Sequence, residues 1–415
     1  MTARFEAVPA VPVRYDPDDP ELRTDPYLIY ARLREQGPQQ DRLGVWILSR
    51  YSDVAAVLRS RHFTSDPYAW DLYPELAEAI YEDLECPLLV LQRTWLMLRD
   101  GEEHQAARRL FARALTAERV QHAAAYAGQV AYDHAAELTA RGGGDFMSDV
   151  AVHVPVRTIC HLLAMPYEDG VHCRGLMDKV LLTFGLSGTA AQTVREANEA
   201  AVELLGYFSE MVERRRALPG EDLVSELLRT DADAMTLPEW VANVILLFAA
   251  GHETTVNVLG NGMLALLRHP DQLDLLRREP GLAAGAVDEM LRYDSPMQVV
   301  SRSALADTMA GAQPVQAGQH VALLLGSSNR DPGQFEQPDV FDIRRPAGTG
   351  HLSFGAGAHF CLGARLARSE ASAAFAAVVR ALPDQVGQGG TLAWVDTTSH
   401  RGLKHLPLEL NGTAR

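Results

Sequence analysis

The sequence predicts a mainly α fold with small β-sheets. The chain is rich in Ala, Leu and Arg, which favour helix over strand, and 47% of it is hydrophobic, enough for an extensive core. From Leu237 to Arg268 the pattern stays compatible with one helix for ~32 residues, roughly 48 Å at 1.5 Å per residue, so this helix should cross the molecule. After Pro296, by contrast, short alternating stretches are punctuated by Gly, Asn and Pro, which reads as small sheets.

The chain has 415 residues, more than one core usually holds, yet no Ser/Gly/Pro linker divides it. One domain over residues 1–415 is the expectation. A net charge of −16 argues against general affinity for nucleic acid or for an anionic membrane. Met1–Asp19 carries no apolar core of signal-peptide length, and no stretch reads as the ~18 consecutive apolar residues of a membrane span, so a soluble, cytoplasmic protein is expected. Cys86, Cys160, Cys173 and Cys361 are too scattered for a disulfide framework. The Cys160-His161 and His172-Cys173 pairs match no zinc-finger spacing, and Ile159, Leu162 and Leu163 beside them look like core.

In chain order, a Pro-rich arm (Val8–Pro20) precedes an amphipathic segment, Tyr27–Gln36. A hairpin follows with Val45–Leu48 as its apolar strand, and Tyr51-Ser52-Asp53 opens a helix. Between Thr64 and Gln92, Asp66-Pro67, Tyr73-Pro74 and Cys86-Pro87 interrupt the pattern while Tyr68, Trp70 and Tyr73 add aromatics, predicting a long irregular loop. From Glu102 the pattern is helical, and His104 and Arg108, four apart, share a face suited to anions. Helices are expected over Ala117–Ala140 and again around Val154–Ala164, with a turn at Gly142–Gly144. That turn lacks a following Gly-Lys-Ser/Thr, as does the 387–390 segment, so neither is a phosphate loop. Leu181–Gly188 reads as a flexible join.

The central helix has a strong start signal: Thr236 as N-cap, Glu239 completing a capping box, Pro238 in the first turn. In its middle, after the apolar run Val244–Phe248, stands the polar cluster Gly251-His252-Glu253-Thr254-Thr255. Such residues disturb the helical ladder unless they have partners. A zinc-protease reading of His252-Glu253 fails, because the second histidine it needs is Val256. Farther on, Glu289 and Arg292 sit three apart on one face. The tail, Trp394–Leu410, has a turn at Thr397-Thr398-Ser399.

One stretch organises the rest. In Phe354-Gly355-Ala356-Gly357-Ala358-His359-Phe360-Cys361-Leu362-Gly363 a single cysteine lies between a glycine-rich loop and the helix-forming run after Ala364. Glycines allow tight turns and close approach to a flat ligand. A cysteine at a helix N-terminus is acidified by the aligned N–H groups, which makes Cys361 a candidate metal ligand. One thiolate alone suits neither zinc nor an iron–sulfur cluster, whereas heme iron needs one axial protein ligand.

With Phe354, Gly357, His359, Cys361 and Gly363 in place, this loop resembles the heme-binding loop of the cytochrome P450 family, and the motifs from about Glu102 to Pro407 follow in that family's order. The resemblance implies a P450 fold whose long central helix crosses over a heme b (iron protoporphyrin IX) buried between it and the Cys-ligand loop. Cys361 would ligate the iron, with Phe354 and Gly363 in the same cofactor-binding loop. His104, Arg108, Arg302 and His359 would surround the propionates. Glu253 and Thr254 match the family's acid–alcohol pair for proton delivery, with Gly251 thinning the helix near the heme. Glu289 and Arg292 match its Glu-x-x-Arg motif, and Arg345 fits as third member, with Arg344 beside it offering the same chemistry. Segments 64–92 and 181–188 correspond to the substrate cover and lid. Asn243, Val244, Leu247, Phe248, Ala250, Val299 and Val300 would line a mainly apolar pocket.

The implied activity is monooxygenation: hydroxylation or epoxidation of a medium-sized, mainly apolar natural-product (secondary-metabolite) intermediate with O2 and two electrons. The chain has no dinucleotide fingerprint and no flavin or iron–sulfur module, so a ferredoxin and its reductase are the expected donors of a monomeric enzyme. Arg109, Arg113, Arg365 and Arg368 would form the docking patch. A peroxide-driven peroxygenase, or a non-catalytic heme sensor or carrier, is the alternative.

Overall fold

Two apolar clusters meet on one helix. The computed structural model describes residues 13–17, 19–81, 83–183, 191–346, 350–397 and 399–410; the arm before Val13, Thr398 and residues 184–188 of the expected lid join lie outside these. The central helix runs Leu237–Arg268, opened by a full capping box in which Thr236 N–H donates to Glu239 Oε2 at 2.9 Å and Glu239 N–H donates to Thr236 Oγ1 at 3.4 Å. Its first half, Trp240–Ala249, packs with the helices Pro87–Thr94, His153–Leu163, Tyr167–Leu181 and Ala191–Ala217. Its second half, Val256–Leu266, belongs to another cluster with Ala117–Ala140, Ala283–Tyr293 and Ala364–Ala381. Residues 250–255 are therefore the passage between two cores, and the polar cluster sits there. By length and composition this helix could cross a membrane, but 72% of its most apolar window is buried in the fold, as suits a core helix.

A third cluster lies under a five-stranded mixed sheet, ordered Gln39–Gln40, Trp46–Leu48, His320–Leu324, Val299–Ala304, Phe63–Thr64. Only Trp46–Leu48 and His320–Leu324 pair in parallel. The register sets Val299 opposite Leu324 and Arg302 opposite Val321, so successive side chains of Val299–Ala304 alternate between the two sheet faces. A three-stranded sheet joins Gly143–Asp145, Pro407–Leu410 and Val386–Gln388, tying the chain's end to its middle.

The long irregular loop expected over 64–92 is instead mostly short helices: Pro67–Ala69, Tyr73–Ile80 and Pro87–Thr94. Each has its proline in the first turn, where a missing N–H costs nothing and the fixed φ favours the helix, so residues read as breakers are starters.

Glu289 and Arg292 form a bidentate pair at 2.7 and 2.8 Å, both side chains almost fully buried, and Arg345 Nε donates to the same carboxylate at 3.0 Å. Arg344 turns away to Glu279 at 2.6 Å. Arg292 also donates to the carbonyl of Asn329 at 3.0 Å, and the Asn329 amide holds Leu352 N–H at 2.6 Å and Ser353 Oγ at 2.8 Å. The network thus ends at the residue before Phe354, bracing the cysteine loop.

Candidate active site

The cysteine loop is closed by its own backbone. Cys361 N–H donates to Phe354 O at 2.8 Å, and Gly355 and Gly357 turn the chain at φ +70° and +71°. At Gly357 glycine is doubly required, since a Cβ would lie 2.3 Å from Leu58 O. Gly363 differs: its φ is −85° and a Cβ there would meet no described atom within 4 Å. Nothing in the protein itself demands glycine at 363, whereas a flat group lying against the loop would. Cys361 is accessible on that side and heads the helix Ala364–Ala381. Burial pushes its thiol up; the N–H groups of Gly363 and Ala364 and the guanidinium groups of Arg108 and Arg368 pull it down, a set that favours a thiolate once a cation is bound.

Beside the loop is a cationic cradle. The helix Gly101–Ala114 presents His104, whose ring stacks on His359 at 4.2 Å and 22°. His104 is buried, its Nε2 has no hydrogen-bond partner among the described residues, and burial followed by the His359 and Arg108 charges pushes it down to about 4. Arg108 Nη2 donates to Phe360 O at 2.5 Å, and Arg302 donates to its neighbour Ser301 O at 2.7 Å. Asp100 belongs to the segment that resembles the family's propionate helix, though the sequence assigns it no role of its own. Its carboxylate takes His359 Nε2 at 2.8 Å, Ser65 N–H at 3.0 Å and the Thr64 hydroxyl. Burial alone would raise its pKa, but these hydrogen bonds and the His359 charge hold it well below the usual carboxylate range. The sequence signal for it was only its place before Gly101, whose φ is +70°. An orphaned imidazole nitrogen, two arginines and a second histidine fit an anionic edge, and an accessible thiol beside an unfilled glycine fits the face of a metal-bearing plane. These residues therefore suit a heme.

On the central helix one stripe remains open. Leu247, Gly251 and Thr254 are half-buried and Ala250 is exposed, while most of their neighbours are buried. At about 100° per residue these four lie on one face. Thr254 Oγ1 donates weakly to Ala250 O at 3.3 Å, so its hydroxyl is only lightly held. Glu253 is half-buried beside this stripe: burial pushes its carboxyl up, His400 opposes, Asp178 adds and Arg174 opposes.

Several expected positions lie elsewhere. Asn243 is one turn earlier on the same stripe, but the preceding chain covers it: Leu96 N–H donates to its Oδ1 at 2.8 Å and its Nδ2 donates to Glu239 O at 2.8 Å. Its amide is taken up as a clamp between these two segments. Val244 and Phe248 are fully buried, Phe248 against Phe208 and His252 at ring distances of 5.8 and 4.8 Å, so neither lines a pocket. Gly251 serves helix packing, since a Cβ would come within 3.0 Å of Ile159 Cδ1. Val299 and Val300 are half-buried on their strand. Phe354 is half-buried under the Arg368 guanidinium at 4.4 Å. Because Arg368 also pairs with Asp288 at 2.6 Å, it is not free for docking, whereas Arg109, Arg113 and Arg365 are exposed.

The chain is similar to known proteins over most of its length. The family model described as Cytochrome P450 matches residues 176–390. The chain is 34% identical over 396 residues to a vitamin D(3) 25-hydroxylase of Pseudonocardia autotrophica, covering 93% of this chain and 94% of that one. It is also 34% identical to the cytochrome P450 monooxygenase PikC of Streptomyces venezuelae, over 94% of this chain and 92% of the other. Among solved structures, P450BioI in complex with a hexadecenoic-acid-loaded acyl carrier protein superposes with a TM-score of 0.86 at 30% identity, covering 94% of this chain and all (100%) of that one. CalO2 superposes with a TM-score of 0.86 at 32% identity, covering 96% and 98%.

Proposed function

Because the chain belongs to the cytochrome P450 family and is a P450 monooxygenase, we propose that it hydroxylates or epoxidises a medium-sized, mainly apolar natural-product intermediate. The observation that carries this reading is the open stripe Leu247, Ala250, Thr254, apolar except for one lightly held hydroxyl. Bound on Cys361, heme b supplies the activation of O2. Arg108 and Arg302 would neutralise its acidic edge, and His104, held uncharged by burial and stacked on His359, would offer it a hydrogen bond from its unpartnered Nε2. Leu247, Ala250 and Val299 orient the substrate and exclude water from it, Val299 packing with the cluster of the helix's first half, while Val300 faces the third cluster on the other side of the strand. The Thr254 hydroxyl would hold and hand on a proton at the open stripe, and Glu253, a carboxyl that burial keeps easy to protonate, would resupply it.

The family draws electrons from redox partners; here a ferredoxin and its reductase serve, docking at Arg109, Arg113 and Arg365. The enzyme is a cytoplasmic monomer of one domain, and the buried setting of its apolar central helix supports its being soluble. A carrier-bound substrate is the second reading, favoured by the solved relative that holds an acyl-loaded carrier protein. Free and carrier-loaded forms of one acyl chain, compared by the heme spin-state shift, decide between them.

Cys361→Ser tests the cofactor reading, with loss of the thiolate-type carbon monoxide spectrum expected; a surviving spectrum overturns it. Thr254→Ala should still bind substrate but release peroxide in place of product. Peroxide-driven turnover unaffected by Thr254→Ala would point to a peroxygenase, and a gas response without oxygenated product to a sensor.

A further inference from the structure

The strand that carries Val299 is paired before it begins. Gln298 N–H donates to Ser399 O at 2.8 Å, Val299 N–H to the same carbonyl at 3.3 Å, and Arg401 N–H to Pro296 O at 2.8 Å, with Met297 opposite His400. These pairs keep one antiparallel register, so segment 399–401 forms a short ladder with the head of the strand. The same segment is fastened to the central helix. Asn261 Nδ2 donates to Arg401 O at 2.9 Å and to Asp294 O at 3.4 Å, and a Cβ on Gly402 would lie 1.8 Å from Asn257 Oδ1, so the two chains meet closely there. Segment 399–402 is thus a bracket between the helix that bears the open stripe and the strand head at Val299.

Arg401 fixes the bracket from behind. Its side chain is 5% exposed, and its Nε donates to Asp294 Oδ1 at 2.6 Å, Nη1 to Arg23 O at 2.9 Å and Nη2 to Thr24 O at 3.0 Å. Both carbonyls belong to the last turn of the helix Pro20–Thr24, where backbone oxygens lack helical partners. The guanidinium lies over the Trp394 ring, 3.8 Å from its centroid, and Tyr27 donates its hydroxyl to the same Asp294 oxygen at 2.7 Å. Asp294 comes two residues before Pro296, so the pair ties the entry of the strand to the segment it pairs with, and both to the N-terminal part of the chain. A buried ion pair adds little net stability over apolar packing of the same volume, so its use here lies in direction: every guanidinium nitrogen has a partner at a set place.

We propose that Arg401 is a positioning residue for the substrate wall: by holding segment 399–402 between Asn261 and the strand head, it sets how far Val299 stands from the open stripe Leu247, Ala250, Thr254. The proposal rests on the reading of Val299 as part of that wall. Arg401 touches no reacting group. It acts through the backbone of Ser399 and the strand head that this backbone holds. With the bracket loosened, the wall retreats from a ligand broad enough to reach it, while a small ligand at the heme face is held as before.

The test uses the heme-loaded full chain and two ligands that bind iron through the same kind of nitrogen, imidazole and phenylimidazole, of which only the second carries a ring out to the wall. Titration of the heme absorbance gives Kd for each in the wild type, Arg401→Ala, Arg401→Lys and Val299→Ala. Arg401→Ala should weaken phenylimidazole roughly ten-fold and imidazole less than about two-fold. Arg401→Lys keeps the charge but not the three-way fork, and should weaken phenylimidazole roughly three-fold. Val299→Ala should show the same selective loss. A merely structural arginine would lower stability and change both ligands alike. Equal shifts for the two ligands in Arg401→Lys, or none, overturn the proposal alone, even where Arg401→Ala fails to fold. An unchanged phenylimidazole Kd in Val299→Ala overturns it together with the reading of the wall.

Discussion

Replacing Glu289 by Gln should be among the most damaging single changes available outside the cysteine loop. The Glu289 carboxylate, 2% exposed, receives four hydrogen bonds: Arg292 Nε at 2.7 Å, Arg292 Nη2 at 2.8 Å, Arg345 Nε at 3.0 Å and Asp342 N–H at 3.0 Å. Glutamine keeps the shape, but it turns an amide N–H2 toward some of these donors and leaves the fully buried Arg292 guanidinium without a counter-charge. Breaking a buried pair in this way costs about 3–5 kcal/mol. Arg345→Ala removes the charged hydrogen bond to Glu289, worth about 1.5–3 kcal/mol by itself, together with those to the carbonyls of Glu336, Gln337 and Val340, from a side chain that is only 13% exposed. Arg344→Ala removes a pair whose members are 54% and 51% exposed, worth below about 1 kcal/mol. Urea unfolding followed by both tryptophan fluorescence and heme absorbance measures all three. Because Arg292 reaches the cysteine loop through Asn329, Glu289→Gln should also release heme at lower urea than the wild type. A loss below about 1 kcal/mol in Glu289→Gln, or equal losses for Arg344→Ala and Arg345→Ala, would refute the reasoning.

Two glycines of the loop should separate. Gly357→Ala, strained at φ +71° and 2.3 Å from Leu58 O, should lower both soluble yield and stability, whereas Gly363→Ala should keep the far-UV helical signal and lose heme per protein chain. Glu370, fully buried on the Ala364–Ala381 helix with Oε1 unpaired, has its carboxyl pushed by burial up to about 8, with Thr158 opposing. The folded state then holds a proton that the unfolded chain releases above about 4.5, so stability falls as pH rises toward 8. Glu370→Gln should gain on the wild type across that window in unfolding experiments, and parallel pH curves would contradict it. Reversing the charge of Arg109 and Arg113 should slow reduction by ferredoxin at low salt while leaving the substrate-induced spin shift intact; an unchanged rate would count against that docking face.

The sequence by itself determined the features that depend on neighbours along the chain. The capping box at Thr236 and Glu239, the extent of the central helix, the tight turns at Gly355 and Gly357 and the i,i+3 pairing of Glu289 with Arg292 all follow from helical period, cap chemistry and glycine's freedom at positive φ. Only the tertiary structure decided what each face meets. Arg345 rather than Arg344 joins Glu289 because the loop delivers one side chain inward and its neighbour outward. Asn243 lies on the same stripe as Leu247 and Thr254, yet the chain at Leu96 covers it and consumes its amide. Prolines 67, 74 and 87 start helices because packing completes the turns they open. The close approach of Gly402 to Asn257, nearly 150 positions apart in sequence, joins two parts of the chain that share no local pattern. Local pattern carries the period of an element; which side of it is buried, and against what, is set by parts of the chain too distant to leave a mark on that pattern.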